Sequence, residues 1–147
     1  VVYHGRTPKP EAEFDARYCS TLDELLKVSD VVSLHCPLTE QTRNLIDAKA
    51  LTKMKDSAVL INTARGAVVD EAALSDALIR GEIAGAGLDV FVSEPDVGEH
   101  LIGLDNVLLS PHVGTATTET RDEMGLRVIE NIKMFLSTGQ PIDKVER

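Results

Sequence analysis

Short apolar runs alternate with segments that carry helix signals, and that alternation limits this chain to few folds. Val31-Val32-Ser33-Leu34-His35-Cys36, Ala58-Val59-Leu60-Ile61-Asn62, Ile83 to Val90 and Asn106-Val107-Leu108-Leu109-Ser110 read as strands, after an opening strand at Val1-Val2-Tyr3-His4 and a loop from Gly5 to Pro10. The run before Pro37 is nearly continuous in apolarity, which predicts a strand buried on both faces. Thr21 is an N-cap for a helix through Leu22, Leu25, Leu26 and Val28, with Glu24 placed as in a capping box; Asp30 ends that region. Asp47 caps a short helix toward Met54. Asp70 caps a helix with Ala73, Leu74, Ala77 and Leu78 on one face, and Gly81 closes it. Thr117 or Thr118 starts a long closing helix whose stripe of Met124, Val128, Ile132 and Leu136 reads as core packing rather than a membrane or partner element. Strands alternating with helices predict an α/β fold: a doubly wound parallel sheet, with right-handed crossovers and helices on both faces.

A chain of 147 residues suits about one domain. Aromatic content of 3% and no Trp make the core aliphatic. The net charge of −9, from 15 basic and 24 acidic residues, argues against nucleic acid as the main partner, because phosphate binding needs a basic surface. A local Arg can still hold a small anion. No apolar stretch approaches the ~20 residues that span a bilayer. Cys19 and Cys36 make no disulfide framework, so reduced thiols in the cytoplasm are the default reading. His4, His35, His100 and His112 are scattered and lack metal-ligand spacing, and Asp96, Glu99 and Asp105 read as a solvated loop.

In an open parallel sheet, ligands sit at the carboxyl ends of the strands, and a dinucleotide's pyrophosphate rests on a Gly-rich turn before the first helix. No G-x-G-x-x-G occurs; Gly81, Gly85 and Gly87 precede a strand rather than a helix. The pattern fits a Rossmann-type sheet lacking its first strand and Gly-rich turn. That first strand lies centrally, so a gap is expected in the sheet, and the sequence is expected to be a fragment with material before Val1. Residues 1–147 are then a partial dinucleotide-binding domain.

Arg65, Glu94 and His112 each follow a strand-like run or lie in the loop just past one. A cation, a carboxylate and an imidazole at the carboxyl ends of parallel strands can anchor an anionic substrate and move a proton. Arg65 carries a charged fork suited to a carboxylate, and an imidazole can serve as general acid near neutrality. The plainer readings are a surface salt bridge for Arg65 and a backbone-satisfied loop histidine for His112.

Four ordered stretches cover nearly the whole chain: Leu25 to Pro37 followed by Thr42, Met54 to Gly66, Gly87 to Phe91 with Glu94-Pro95, and Pro111-His112-Val113-Gly114. On these the chain resembles the D-isomer-specific 2-hydroxyacid dehydrogenases, and its Gly5-Arg6-Thr7 start looks most like the glyoxylate/hydroxypyruvate reductase branch. The resemblance implies hydride transfer between a nicotinamide cofactor and a small 2-keto acid. His112 would be the general acid/base, Glu94 would hydrogen-bond and orient it, and Arg65 would hold the substrate. Asp89 would meet the nicotinamide carboxamide, or else be a turn residue. Thr63 and Ala64 would approach the nicotinamide through backbone atoms. His35, Cys36 and Pro37 would pass near the adenosine half, with Thr42 in the same matching segment; Cys36 reads equally as a plain buried thiol. Gly114 would let backbone come close to the cofactor.

The end of the opening strand chooses the cofactor. An acid there holds the ribose 2′-hydroxyl of NAD, whereas an Arg accommodates the 2′-phosphate of NADP. Gly5, Arg6 and Thr7 offer no acid, so NADP is the expected preference, with NAD the other candidate and Arg6 as a solvated loop residue the plain reading. The family also implies a homodimer, and a substrate domain toward which the closing helix, about 117–137, would pack. Two alternatives stand beside the reductase: a non-catalytic, corepressor-like dinucleotide sensor, and a fragment inactive by itself.

Overall fold

The structure, a computed structural model, describes residues 1–9 and 15–145; Pro10, the last residue of the predicted first loop, lies outside the described residues. The chain divides into two compact units, Val1–Pro111 and His112–Arg147. The first unit runs β1 (Val2–Tyr3), β2 (Arg17–Tyr18), α1 (Leu22–Val28), β3 (Val31–Leu34), α2 (Ala48–Leu51), β4 (Val59–Asn62), a 3-10 turn at Gly66–Val68, α3 (Glu71–Arg80), β5 (Gly85–Leu88) and β6 (Val107–Leu109). Every strand pair is parallel: β1 with β2, and β3-β4-β5-β6 in that order. The described strands thus make two sheets with no ladder between them, in keeping with the expected gap.

The helices start where the capping side chains direct them. Thr21 Oγ1 accepts from the Glu24 N–H at 3.1 Å. The Glu24 carboxylate returns to the Ser20 N–H (3.0 Å), one residue before the cap, and also holds Arg17 at 2.9 Å. Hydrogen bonding from the Ser20 backbone, with Arg17 beside it, keeps the Glu24 carboxyl below its ordinary range. Asp47 Oδ1 accepts from Ala50 N–H at 2.8 Å, and Asp70 Oδ1 from Ala73 N–H at 3.1 Å. Gly81 ends α3 in the left-handed region at φ 67°, where a side chain would be strained. Asp70→Ala is expected to lower stability by about 1 kcal/mol, read as a lower urea midpoint. An unchanged midpoint would show that water serves the freed N–H groups equally well.

One continuous aliphatic cluster fills the first unit, with Leu26, Val32, Leu51, Leu60, Leu74 and Leu88 among its buried members. The register lines Val32, Leu60, Ala86 and Val107 along one rung, and Ser33, Ile61, Gly87 and Leu108 along the next. The first rung faces the cluster. The second belongs to the other face, where Val31 is 61% and Leu108 69% exposed. Burial on both faces of the Val31 strand is therefore not found: its residues alternate exposed and buried. Continuous apolarity marks a strand able to be covered twice; in this unit only one face is packed.

In the second unit α4 spans Thr118–Thr138, and Thr117 Oγ1 caps it by accepting from the Thr120 N–H at 3.2 Å. None of its residues is buried, and Leu136 of the predicted stripe is 78% exposed. The expected core packing of this stripe is not seen among the described residues. An apolar stripe specifies a face to be covered, not the element that covers it. Arg127 grips Asp143 through Nε (2.5 Å) and Nη2 (2.6 Å), which ties the segment after the helix back to it. Hydrogen bonding from Arg127, then from Asn131, holds the Asp143 carboxyl below its ordinary range. This tether is present at neutral pH and is lost only as acid protonates the carboxylate.

Candidate active site

Parallel pairing of β3 with β4 puts Leu34 beside Asn62, so the residues just beyond them leave the sheet as neighbours. A cleft of about 570 Å³ opens there, lined by Leu34 to Leu38 and by Thr63, Ala64 and Arg65. His35, Cys36, Pro37, Thr63, Ala64 and Arg65, singled out from the sequence, thus share one crevice at the carboxyl ends of adjacent strands. Cys36 is half-buried, and His35 shares a hydrogen bond of 2.8 Å with the Ser33 hydroxyl. Thr42 contributes by fixing the loop: its hydroxyl donates to the Pro37 carbonyl at 2.6 Å and accepts from the Thr39 N–H at 2.8 Å.

Arg65 is exposed, with extended backbone, and its Nη1 donates to the Ala64 carbonyl at 2.6 Å. The next residue must be glycine. A Cβ on Gly66 would lie 2.0 Å from the Phe91 carbonyl carbon and 2.5 Å from the Val92 nitrogen, backbone atoms that cannot swing aside. This contact presses the Arg65 turn against the loop that carries Glu94. That loop is held twice more: Phe91 N–H donates to Glu94 Oε1 at 2.9 Å, and Val92 N–H donates to Glu71 Oε1 at 2.7 Å. Asp89, just past β5, is half-buried, and its N–H donates to the Asn62 carbonyl at 3.0 Å.

Arg6 and Thr7 stand exposed just past β1. Their loop is closed by tyrosines that the sequence reading did not use. The Tyr3 hydroxyl accepts from the Lys9 N–H at 2.6 Å, and the Tyr18 hydroxyl donates to the Gly5 carbonyl at 3.1 Å. His112 and Gly114 belong to the second unit and are exposed; His112 adopts φ 53°, a left-handed conformation uncommon outside glycine.

Asn62, Glu71, Tyr3 and Tyr18 are the supporting residues that sequence reasoning missed. A capping aspartate or a strand-end arginine has a local signature. A side chain holding a backbone group 21 residues away, as Glu71 holds Val92, has none.

The crevice suits the nucleoside portions of a dinucleotide. Leu34, Pro37, Leu38 and Ala64 give it apolar walls, while Thr63 and Arg65 give it polar groups. A parallel α/β sheet with its cleft at the strand carboxyl ends defines a nucleotide-binding fold. The chain belongs to the D-isomer-specific 2-hydroxyacid dehydrogenases: residues 1–114 match that family's "D-isomer specific 2-hydroxyacid dehydrogenase, NAD binding domain". Over 149 aligned residues it is 49% identical to a glyoxylate reductase of Thermococcus litoralis, covering 100% of this chain and 45% of the relative. It is 51% identical to glyoxylate/hydroxypyruvate reductase B of Pectobacterium carotovorum, covering 93% of this chain and 43% of that protein. Among solved structures it superposes with a TM-score of 0.92, at 42% identity, on an NADPH-dependent glyoxylate/hydroxypyruvate reductase of Sinorhizobium meliloti in complex with NADP and malonate, covering 98% of this chain and 44% of that one. The chain therefore spans less than half the length of these relatives.

Proposed function

We propose that the whole protein carrying this chain reduces small 2-keto acids of the glyoxylate or hydroxypyruvate kind, with NADPH as its preferred reductant. The observation that carries this reading is Arg65 standing in the same crevice as Thr63, Ala64 and the His35-Cys36-Pro37 segment. A guanidinium there can take a substrate carboxylate through two parallel hydrogen bonds. The nicotinamide, when bound, supplies the hydride. His112 delivers the proton that the carbonyl oxygen needs once its carbon has been reduced. Glu94 supports the charged imidazole and its orientation. Asp89 serves the carboxamide, and Thr63, Ala64 and Gly114 admit the cofactor by their backbone, with Thr42 holding the Pro37 loop. The S. meliloti neighbour, bound to NADP and a dicarboxylate, supports a site of this chemistry. The whole protein works as a homodimer in the cytoplasm, and the apolar stripe of α4 packs toward its substrate domain.

Glyoxylate-dependent oxidation of NADPH by the whole protein tests this reading directly. Dinucleotide binding with no turnover of glyoxylate or hydroxypyruvate would favour a sensor instead. The NADP preference rests on Arg6 and Thr7, displayed by the tyrosine-closed loop. Arg6→Asp is expected to weaken NADPH binding about tenfold or more relative to NADH, because a carboxylate repels the 2′-phosphate and favours a 2′-hydroxyl. An unchanged affinity ratio would remove Arg6 from the phosphate site.

A further inference from the structure

We infer that Asn62 is a positioning residue that sets where Arg65 reaches, by holding the turn on which the arginine stands. The inference rests on the reading of Arg65 as the substrate anchor. Asn62 is the last residue of β4 and only 1% exposed, yet it is polar. Both ends of its side-chain amide bond the backbone of the turn that follows. Nδ2 donates to the Arg65 carbonyl at 3.0 Å, and Oδ1 accepts from the Ala64 N–H at 3.1 Å. Its backbone carbonyl takes the Asp89 N–H, so the tips of β4 and β5 are fixed by one residue.

The clamp matters because Arg65 carries a long side chain on an exposed turn. Its side chain is exposed, and its Nη1 donates to the neighbouring Ala64 carbonyl. The direction of a long, flexible side chain follows its Cα, and the Cα follows the turn. An apolar residue at position 62 would fill the strand end but remove the side-chain partner of the Ala64 N–H, and leave the Arg65 carbonyl to the Val68 N–H at 3.1 Å. A 1 Å error in a positioning group is enough to weaken catalysis.

A double-mutant cycle in the whole protein reads this role. kcat and KM for glyoxylate with NADPH are measured for the wild type, Asn62→Ala, Arg65→Gln and the double variant, below each variant's melting temperature. Asn62→Ala is expected to lower kcat/KM about tenfold or more, chiefly through a raised KM for glyoxylate. In the Arg65→Gln background the same change should alter kcat/KM less than about threefold, since the group it positions is gone. An equal factor in both backgrounds, or no effect in the single variant, overturns the inference. If Arg65→Gln itself leaves kcat/KM unchanged, the anchor reading fails and the inference falls with it. Asn62→Ser gives a second route should Asn62→Ala not fold: a hydroxyl can keep the Ala64 bond while losing the one to Arg65. It is held to the same comparison.

Discussion

Replacing His112 with alanine in the whole protein is expected to cut turnover about 10²- to 10⁴-fold while NADPH affinity stays within about a factor of three. The two readouts should separate under the proposed roles, in which the proton donor acts on the substrate while the crevice and the Arg6 loop hold the dinucleotide. Reduction of a keto acid places charge on the carbonyl oxygen as the carbon receives hydride. Without a positioned donor, that charge must be met by water. The backbone gives an independent reason to single out this residue. His112 sits at φ 53°, directly before Val113 and Gly114. A left-handed residue with a large side chain costs free energy and persists where the surrounding structure holds it; such positions cluster at functional sites. Unchanged turnover in His112→Ala would remove the histidine from the chemistry. Loss of NADPH binding together with turnover would mean that it shapes the cofactor site rather than the proton transfer.

The second large effect is one of stability. Gly66→Ala is expected to destabilise the whole protein by about 1–3 kcal/mol or more, seen as a lower denaturant midpoint. The added methyl group would sit 2.3 Å from the Phe91 carbonyl oxygen as well as on its carbon, so a backbone segment must move. The displaced loop carries Glu94, and the displaced turn carries Arg65, so glyoxylate turnover should fall in the protein that does fold. Gly5→Ala is the control, because a Cβ there meets nothing within 4 Å. Its midpoint should match the wild type. Equal midpoints for Gly66→Ala and the wild type would mean that the two loops separate without cost, and that their contact does not place Glu94.

What the sequence reveals and what it conceals divides by range. Thr21, Asp47, Asp70, Gly81 and Thr117 mark helix ends through hydrogen bonds made within a few residues, and the structure places each at its cap. The apolar runs reveal strands because parallel sheets demand continuous hydrophobicity. β2 went unseen: Arg17–Tyr18 is two residues long, half of it an exposed arginine, and it is a strand only because β1 lies beside it. The Glu24 side chain was placed correctly as a helix-start signal, but its partner is Ser20, a distinction that local spacing does not encode. The crevice was legible through His35, Cys36, Pro37, Thr63, Ala64 and Arg65, because strand ends follow from strand positions. Asn62 looks like an ordinary polar strand terminus in one dimension. Its burial and its two-way hold on Ala64 and Arg65 exist only after folding. What covers α4 was not legible for a related reason: periodicity shows that a face is apolar without naming its cover.

The most direct measurement is a crystal structure of the whole protein with NADP and oxalate, a two-carbon dicarboxylate that cannot be reduced in place of glyoxylate. The account predicts both Arg65 and His112 within hydrogen-bonding distance of the oxalate, about 2.7–3.2 Å, with Glu94 behind the imidazole and the dinucleotide along the β3–β4 crevice. Oxalate bound away from Arg65, or His112 turned from it while the dinucleotide is in place, would contradict the account.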